Sequence, residues 1–228
     1  DEIQALPHLG GDFFRAVSLA PGITANDVSA QFHVRGGRRD EAQVLLDGQE
    51  LFEAYHLKDF DNALSFVSSS TLRRADLITG GFAAEFGDRM SGVLDMTTVT
   101  PSGSPRGHVG ISSLNLEAGG SGGFADGRGA WLVELRRGTT DLVDKWLGNE
   151  DPSYADAYAK LEYRLNDRNS LRFHGLFSDD RFRYEELLED ESKQTDTRYR
   201  SAYFWVGHTA VLGDTLLVET ALSRAGLD

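Results

Sequence analysis

The sequence predicts a small α+β domain followed by a run of antiparallel strands. Three observations carry this. Composition changes at residues 100–107, TPSGSPRG, where prolines, serines and glycines read as a linker. Before that stretch, helical and strand patterns are mixed and punctuated by glycine. After it, apolar and polar residues alternate with period two, segment after segment. The expected boundaries are 1–100 for the first domain, 101–107 for the linker and 108–228 for the strands.

In the first domain, GDFFRAVSLA (11–20) spaces Phe13, Phe14, Val17 and Leu19 as a short helix does. Pro21-Gly22 stops it. AQFHVR (30–35) alternates as a strand. GGRRDE is turn chemistry, and QVLLDG (43–48) is a short buried strand stopped by Asp47-Gly48. LRRADLITGG (72–81) and GVLDMTTV (92–99) add two more, giving about four strands, while 62–70 gives no clear signal.

In the second part, GAWLVELRR (129–137) sets Trp131, Val133 and Leu135 opposite Glu134 and Arg136. YAKLEYRL (158–165) sets Ala159, Leu161, Tyr163 and Leu165 opposite Lys160, Glu162 and Arg164. After the turn NDRN, residues 171–177 set Leu171, Phe173, Gly175 and Phe177 opposite Arg172 and His174. Residues 201–212 and 215–223 repeat the theme across Gly213-Asp214. The expectation is about six strands of roughly ten residues, the length that crosses a bilayer at a tilt. NDRN and GD are short turns, whereas 138–153 and 179–197 read as long polar loops. A transmembrane barrel has this asymmetry. A soluble sandwich or meander with one wet face gives the same alternation.

Composition narrows the function classes. The 228 residues carry a formal net charge of −13 and no cysteine. Disulfides, cysteine-ligated metals and thiol catalysis are excluded. No basic face suited to nucleic acid is visible. No apolar run reaches transmembrane-helix length, and the opening DEIQALPHL reads as the interior of a longer mature protein. The acidic stretch EELLEDESKQTD (185–196) lacks EF-hand spacing and reads as a solvated loop. GGSGG (119–123) lacks the lysine and Ser/Thr of a phosphate loop and reads as a hairpin turn. TTDLVDKWLG (139–148) fits a short amphipathic helix that caps a barrel or touches lipid headgroups. Nucleophile-elbow and zinc-protease motifs are absent, and the histidines are scattered without ligand spacing. No enzyme, cofactor or metal site is expected.

Four blocks in order resemble the plug domain of TonB-dependent outer-membrane receptors over residues 5–100. They are LGGDFFRAVSLAPGI, VRGG with VLLDGQEL, AYHLKDF and ADLITGGFAAEFGDRMSGVLDM. The third resembles receptors that carry a carboxypeptidase-regulatory-like extension. The resemblance implies an α+β plug followed by the first strands of an antiparallel transmembrane β-barrel. The parent barrel would have about 22 strands, so the chain would be a fragment or one piece pairing with another. It further implies TonB-driven uptake of a siderophore, cobalamin, oligosaccharide or peptide across the outer membrane of a Gram-negative bacterium. TonB, the nutrient and outer-membrane lipid would be the partners.

Ligand would meet apical loops of the plug. Arg38 and Arg39 qualify, with Glu53, Tyr55, His56, Lys58 and Phe60 in ELFEAYHLKDF; aromatics with a few polar groups suit a small-ligand site. His56 fits a core histidine equally well. Arg35, Arg73, Glu85 and Arg89 would meet the polar inner wall of the barrel, or be ordinary solvated charges. A surface receptor or assembly component that binds a partner without transport, and a soluble β-rich binding protein, remain alternatives. A TonB box upstream would favour transport, and folding of 108–228 without detergent would favour the soluble protein.

Overall fold

A computed structural model describes residues 12–26, 29–87, 90–112, 114–139, 152–187 and 192–228. Arg89, most of the 138–153 segment and the amphipathic stretch after Thr139 lie outside the described residues, as do the side chains of Arg39 and Phe60. The chain divides into two compact units, Asp1–Val99 and Thr100–Asp228.

In the first unit, Asp12 caps the short helix α1 (Phe13–Val17). One of its carboxylate oxygens accepts from the Phe14 and Arg15 N–H groups, and the other from Ser65 N–H and Oγ. Asp12 is 1% exposed, so a single carboxylate ties the helix start to β6 (Leu64–Ser65). Strand β1 (Ile23–Ala25) pairs with β2 (Phe32–Val34), and β5 (Tyr55–His56) pairs with β6. A four-stranded sheet has the order β4 (Gln49–Glu50), β3 (Ala42–Leu46), β8 (Gly92–Thr98), β7 (Leu72–Ile78), with β3 and β8 parallel. Asp47 and Gly48 both take positive φ, 46° and 81°, as a two-residue hairpin turn requires. The four strands read from the sequence correspond to β2, β3, β7 and β8. The others span two or three residues, too few for alternation to show.

Two of the motif blocks pack against each other through glycine. A Cβ on Gly92 would stand 2.7 Å from Val34 Cγ2, and one on Gly37 would stand 2.4 Å from Ser91 Cβ. VRGG and SGV therefore need glycine for close approach as well as for turning.

The second unit is one seven-stranded antiparallel meander. Its strands, in spatial order, are β9 (Arg106–Ile111), β10 (Asn115–Phe124), β11 (Gly129–Gly138), β12 (Ser153–Asn166), β13 (Asn169–Leu187), β14 (Ser192–Leu212) and β15 (Leu216–Leu227). About six were expected. The extra strand starts inside the expected linker, at Arg106. GGSGG, expected as a turn, lies in the middle of β10. Gly119 is needed there because a Cβ would meet Glu134 Oε2 and His108 Cε1. Residues 179–187 and 192–197, expected as loop, are strand, with the ion pairs Arg198–Asp179 and Arg181–Asp196 crossing between β13 and β14.

Burial in this unit is the reverse of a soluble sheet. Glu134 is 1% exposed and Arg136 6%, while Leu135 between them is 52% exposed. Register carries the pattern across the sheet. Trp131, Leu161, Phe173, Val206 and Leu222 lie in one cross-strand row; Leu135, Ala157, Phe177 and Ala202 lie in another. These rows make up the apolar face. The opposite face buries Asp156, Tyr158, Lys160, His174, Ser178, Asp180 and Ser201. Short connections at residues 125–128, 167–168 and 213–215 gather at one end of the sheet.

Candidate functional site

A cavity of about 250 Å³ opens on the first unit between the strand β3 with its preceding turn and the segment 50–55. Phe32, Val44, Phe52 and Tyr55 give it an apolar and aromatic wall, and Asp40, Glu50 and Glu53 give it carboxylates. The two loops singled out by the sequence thus flank one concavity. Parallel pairing of β3 with β8 fixes one wall, and the Asp47-Gly48 hairpin turns the chain back to form the other.

The structure brings some of the predicted site residues together there. Glu53 and Tyr55 line the cavity. Arg38 sits beside it, its guanidinium on the Asp40 carboxylate at 3.1 Å in solvent. Lys58 pairs with Glu53 at 3.7 Å and so braces the rim. Tyr55 packs edge-on against Phe14 at 5.6 Å. His56 points elsewhere. It is fully buried, edge-on to Phe66 at 5.8 Å, and belongs to the core of this unit. Its neighbour in the strand alternates to the cavity side, which is why Tyr55 and His56 separate. Arg39 and Phe60 lie in short 3₁₀ turns, Arg39–Glu41 and Lys58–Phe60. Sequence reading missed Asp40 and Glu50, which looked like turn and strand-end charges.

Arg35, Arg73 and Glu85 are exposed on the first unit. Arg35 takes a positive φ of 50°, and its side chain runs past Gly80, where a Cβ would stand 3.3 Å from its guanidinium. On the sheet, Asp95 lies directly across from Asp76. Burial, followed by the Asp76 and Asp47 charges, raises the Asp95 carboxyl above its ordinary range.

The polar face of the second unit forms a hydrogen-bonded network. Arg136 donates to Asp156 Oδ2 at 2.8 Å, with both side chains at most 5% exposed. Lys160 Nζ lies 2.8 Å from Glu162 and donates to Thr100 Oγ1 at 3.4 Å. Glu134 meets His108 at 3.2 Å. The Tyr158 hydroxyl and His174 Nδ1 share a bond of 3.0 Å, and the His174 ring stacks on Trp205 at 4.6 Å. A face of buried ions and rings fixed by one another suits a polar enclosure. No cluster of metal-ligating groups occurs among the described residues.

No protein-family model matches the sequence, and no curated protein matches it. Solved structures do. The outer membrane transporter YddB from Escherichia coli superposes with a TM-score of 0.74 at 12% identity, over 98% of this chain and 37% of that one. The siderophore receptor PirA from Acinetobacter baumannii gives 0.71 at 14%, over 96% and 38%. The ferric enterobactin receptor PfeA from Pseudomonas aeruginosa gives 0.69 at 16%, over 98% and 39%. The chain spans less than two fifths of the length of these structures. The neighbours are receptors and transporters, not enzymes. Over nearly its whole length, the chain has the fold of the TonB-dependent outer-membrane siderophore receptors.

Proposed function

We propose that the first unit is the plug and the second unit the opening strands of the barrel of a TonB-dependent outer-membrane transporter. The observation that carries this is the inverted sheet, with Glu134 and Arg136 buried and Leu135 exposed between them. A soluble sheet has no reason to hide ions and show leucine. In lipid the arrangement is the stable one, because the outer face meets hydrocarbon and the inner face a polar lumen. The apolar run on β12, from Leu165 back to Ala155, matches the roughly 9–11 residues that a tilted strand needs. The short turns would lie on the periplasmic side and the long β13 and β14 would project outward.

In this reading, ligand binds the plug at the cavity between Asp40 and Tyr55 and TonB drives its passage. Three carboxylates beside Phe32, Phe52 and Tyr55 favour a hydroxyl-rich or cationic ligand over an anionic ferric chelate. Among the nutrient classes of such transporters, an oligosaccharide or a basic peptide fits that wall best. The test is growth of a receptor-deficient Gram-negative host expressing the protein, supplied with one scarce nutrient at a time, with and without TonB. TonB-dependent growth on one class, lost in Tyr55→Ala and Glu53→Gln, is the expected result. Growth that persists without TonB overturns transport. Growth on a ferric siderophore, unchanged in both variants, overturns the cavity assignment.

A further inference from the structure

The cavity on the first unit has a chemically one-sided lining. Its polar side chains are Asp40, Glu50, Glu53 and Tyr55. The three carboxylates, as anions, only accept hydrogen bonds. A group that enters must therefore donate. The rest of the wall is aliphatic and aromatic, and its rings are held in place. Phe14, fully buried, stands edge-on to Phe32 at 5.7 Å and to Tyr55 at 5.6 Å. Phe52 beside them is exposed. Faces of such rings attract cations, as the carboxylates do.

The chain's own side chains mark where a cation sits. Arg38 Nε lies 3.1 Å from Asp40, with both side chains mostly in solvent. Lys58 Nζ lies 3.7 Å from Glu53, too far for a hydrogen bond. Ion pairs as open or as long as these contribute little, so a better-placed cation can take over either carboxylate. Size limits what enters. At about 250 Å³ the cavity is smaller than the roughly 300–1,000 Å³ that enclose a whole drug-sized ligand, so it takes one group of a larger molecule.

We propose that this cavity takes a lysine or arginine side chain of a peptide by cation exchange. The incoming ammonium or guanidinium displaces Lys58 from Glu53 and Arg38 from Asp40, and lies against Tyr55 and Phe52. The inference rests on the reading of this cavity as the ligand site, and narrows the two ligand classes that suit its wall to the peptide. An ammonium offers three donors and a guanidinium five, and neither accepts. A sugar hydroxyl both donates and accepts, and a wall of carboxylates answers only the first. Lys58 and Arg38 are then resident competitors of the ligand and set its affinity.

The test titrates the full chain in detergent micelles with trilysine blocked at both termini, its Nε-acetylated form and maltotriose, by isothermal titration calorimetry. Wild type should bind trilysine and neither neutral ligand. Glu53→Gln should weaken trilysine by on the order of tenfold or more, as loss of a charged hydrogen bond does, and Tyr55→Ala should weaken it as well. Lys58→Met should tighten it roughly two- to fivefold, the share of an open ion pair; a folding defect would act in the opposite direction. Arg168→Gln, the same charge change at a distant turn, should leave it unchanged. Absence of trilysine binding to wild type, no gain in Lys58→Met, or an equal gain in Arg168→Gln overturns the proposal. Maltotriose bound by wild type and lost in Tyr55→Ala, with trilysine unbound, overturns it while keeping the cavity as the ligand site. Trilysine bound equally by wild type, Glu53→Gln and Tyr55→Ala overturns both.

Discussion

Replacing Phe173 by arginine separates a lipid-facing sheet from a water-facing one. Phe173 lies in the row Trp131, Leu161, Phe173, Val206, three residue pairs below the charged row of Asp179, and is 41% exposed. Comparison with Phe173→Ala removes the loss of ring packing from the balance, which for a side chain this exposed is about 1–2 kcal/mol in either medium. What remains is the charge. In water, a half-exposed arginine in place of alanine changes stability by no more than about 0.5 kcal/mol. At the middle of a hydrocarbon layer it costs about 2–4 kcal/mol. Reversible urea unfolding of both variants from phosphatidylcholine vesicles, followed by tryptophan fluorescence, measures the gap. A difference of about 2 kcal/mol or more is expected. A difference within 0.5 kcal/mol would refute the placement of this face in lipid.

Other predictions follow from the buried charges. Arg136→Ala leaves the Asp156 carboxylate enclosed without its principal partner and should cost about 3–5 kcal/mol, whereas R136L/D156L together should recover most of the loss; the same urea unfolding measures both. Asp95→Asn should stabilise the protein at neutral pH. Because the Asp95 carboxyl is raised, the native state holds its proton to higher pH than the unfolded chain, so stability falls as pH rises from the ordinary aspartate range through the raised value. The gain from Asp95→Asn should therefore be larger at pH 7 than near pH 3, and a gap independent of pH would count against it. Asp12→Ala unties α1 from β6 and leaves the Ser65 N–H without its acceptor; a loss of at least about 2 kcal/mol is expected in thermal or urea unfolding.

Sequence by itself determined the element types wherever residues alternated over a long enough run. Leu161 against Lys160 and Phe173 against His174 are read correctly as opposite faces, since side-chain direction in a strand follows from period two alone. Glycine likewise marked the hairpin at Asp47-Gly48, because backbone geometry there depends on the residue itself, whereas the helix expected to run to Pro21-Gly22 already ends at Val17. Only tertiary structure decided which face is hidden. Alternation is symmetric between an apolar face turned inward and one turned outward, and the burial of Glu134 beside an exposed Leu135 breaks that symmetry. Charged strand was misread as loop over 179–187 and 192–197, since Arg181 pairs with Asp196 and Arg198 with Asp179 across the sheet, which local patterning does not see. The candidate cavity was legible as two loops but not as one concavity, for Asp40 and Tyr55 line it together only once the Asp47-Gly48 hairpin folds β4 back against β3. His56 and Tyr55 are adjacent and equally suited to a site. Pleating sends one to the core and the other to the surface, and no single residue carries that information.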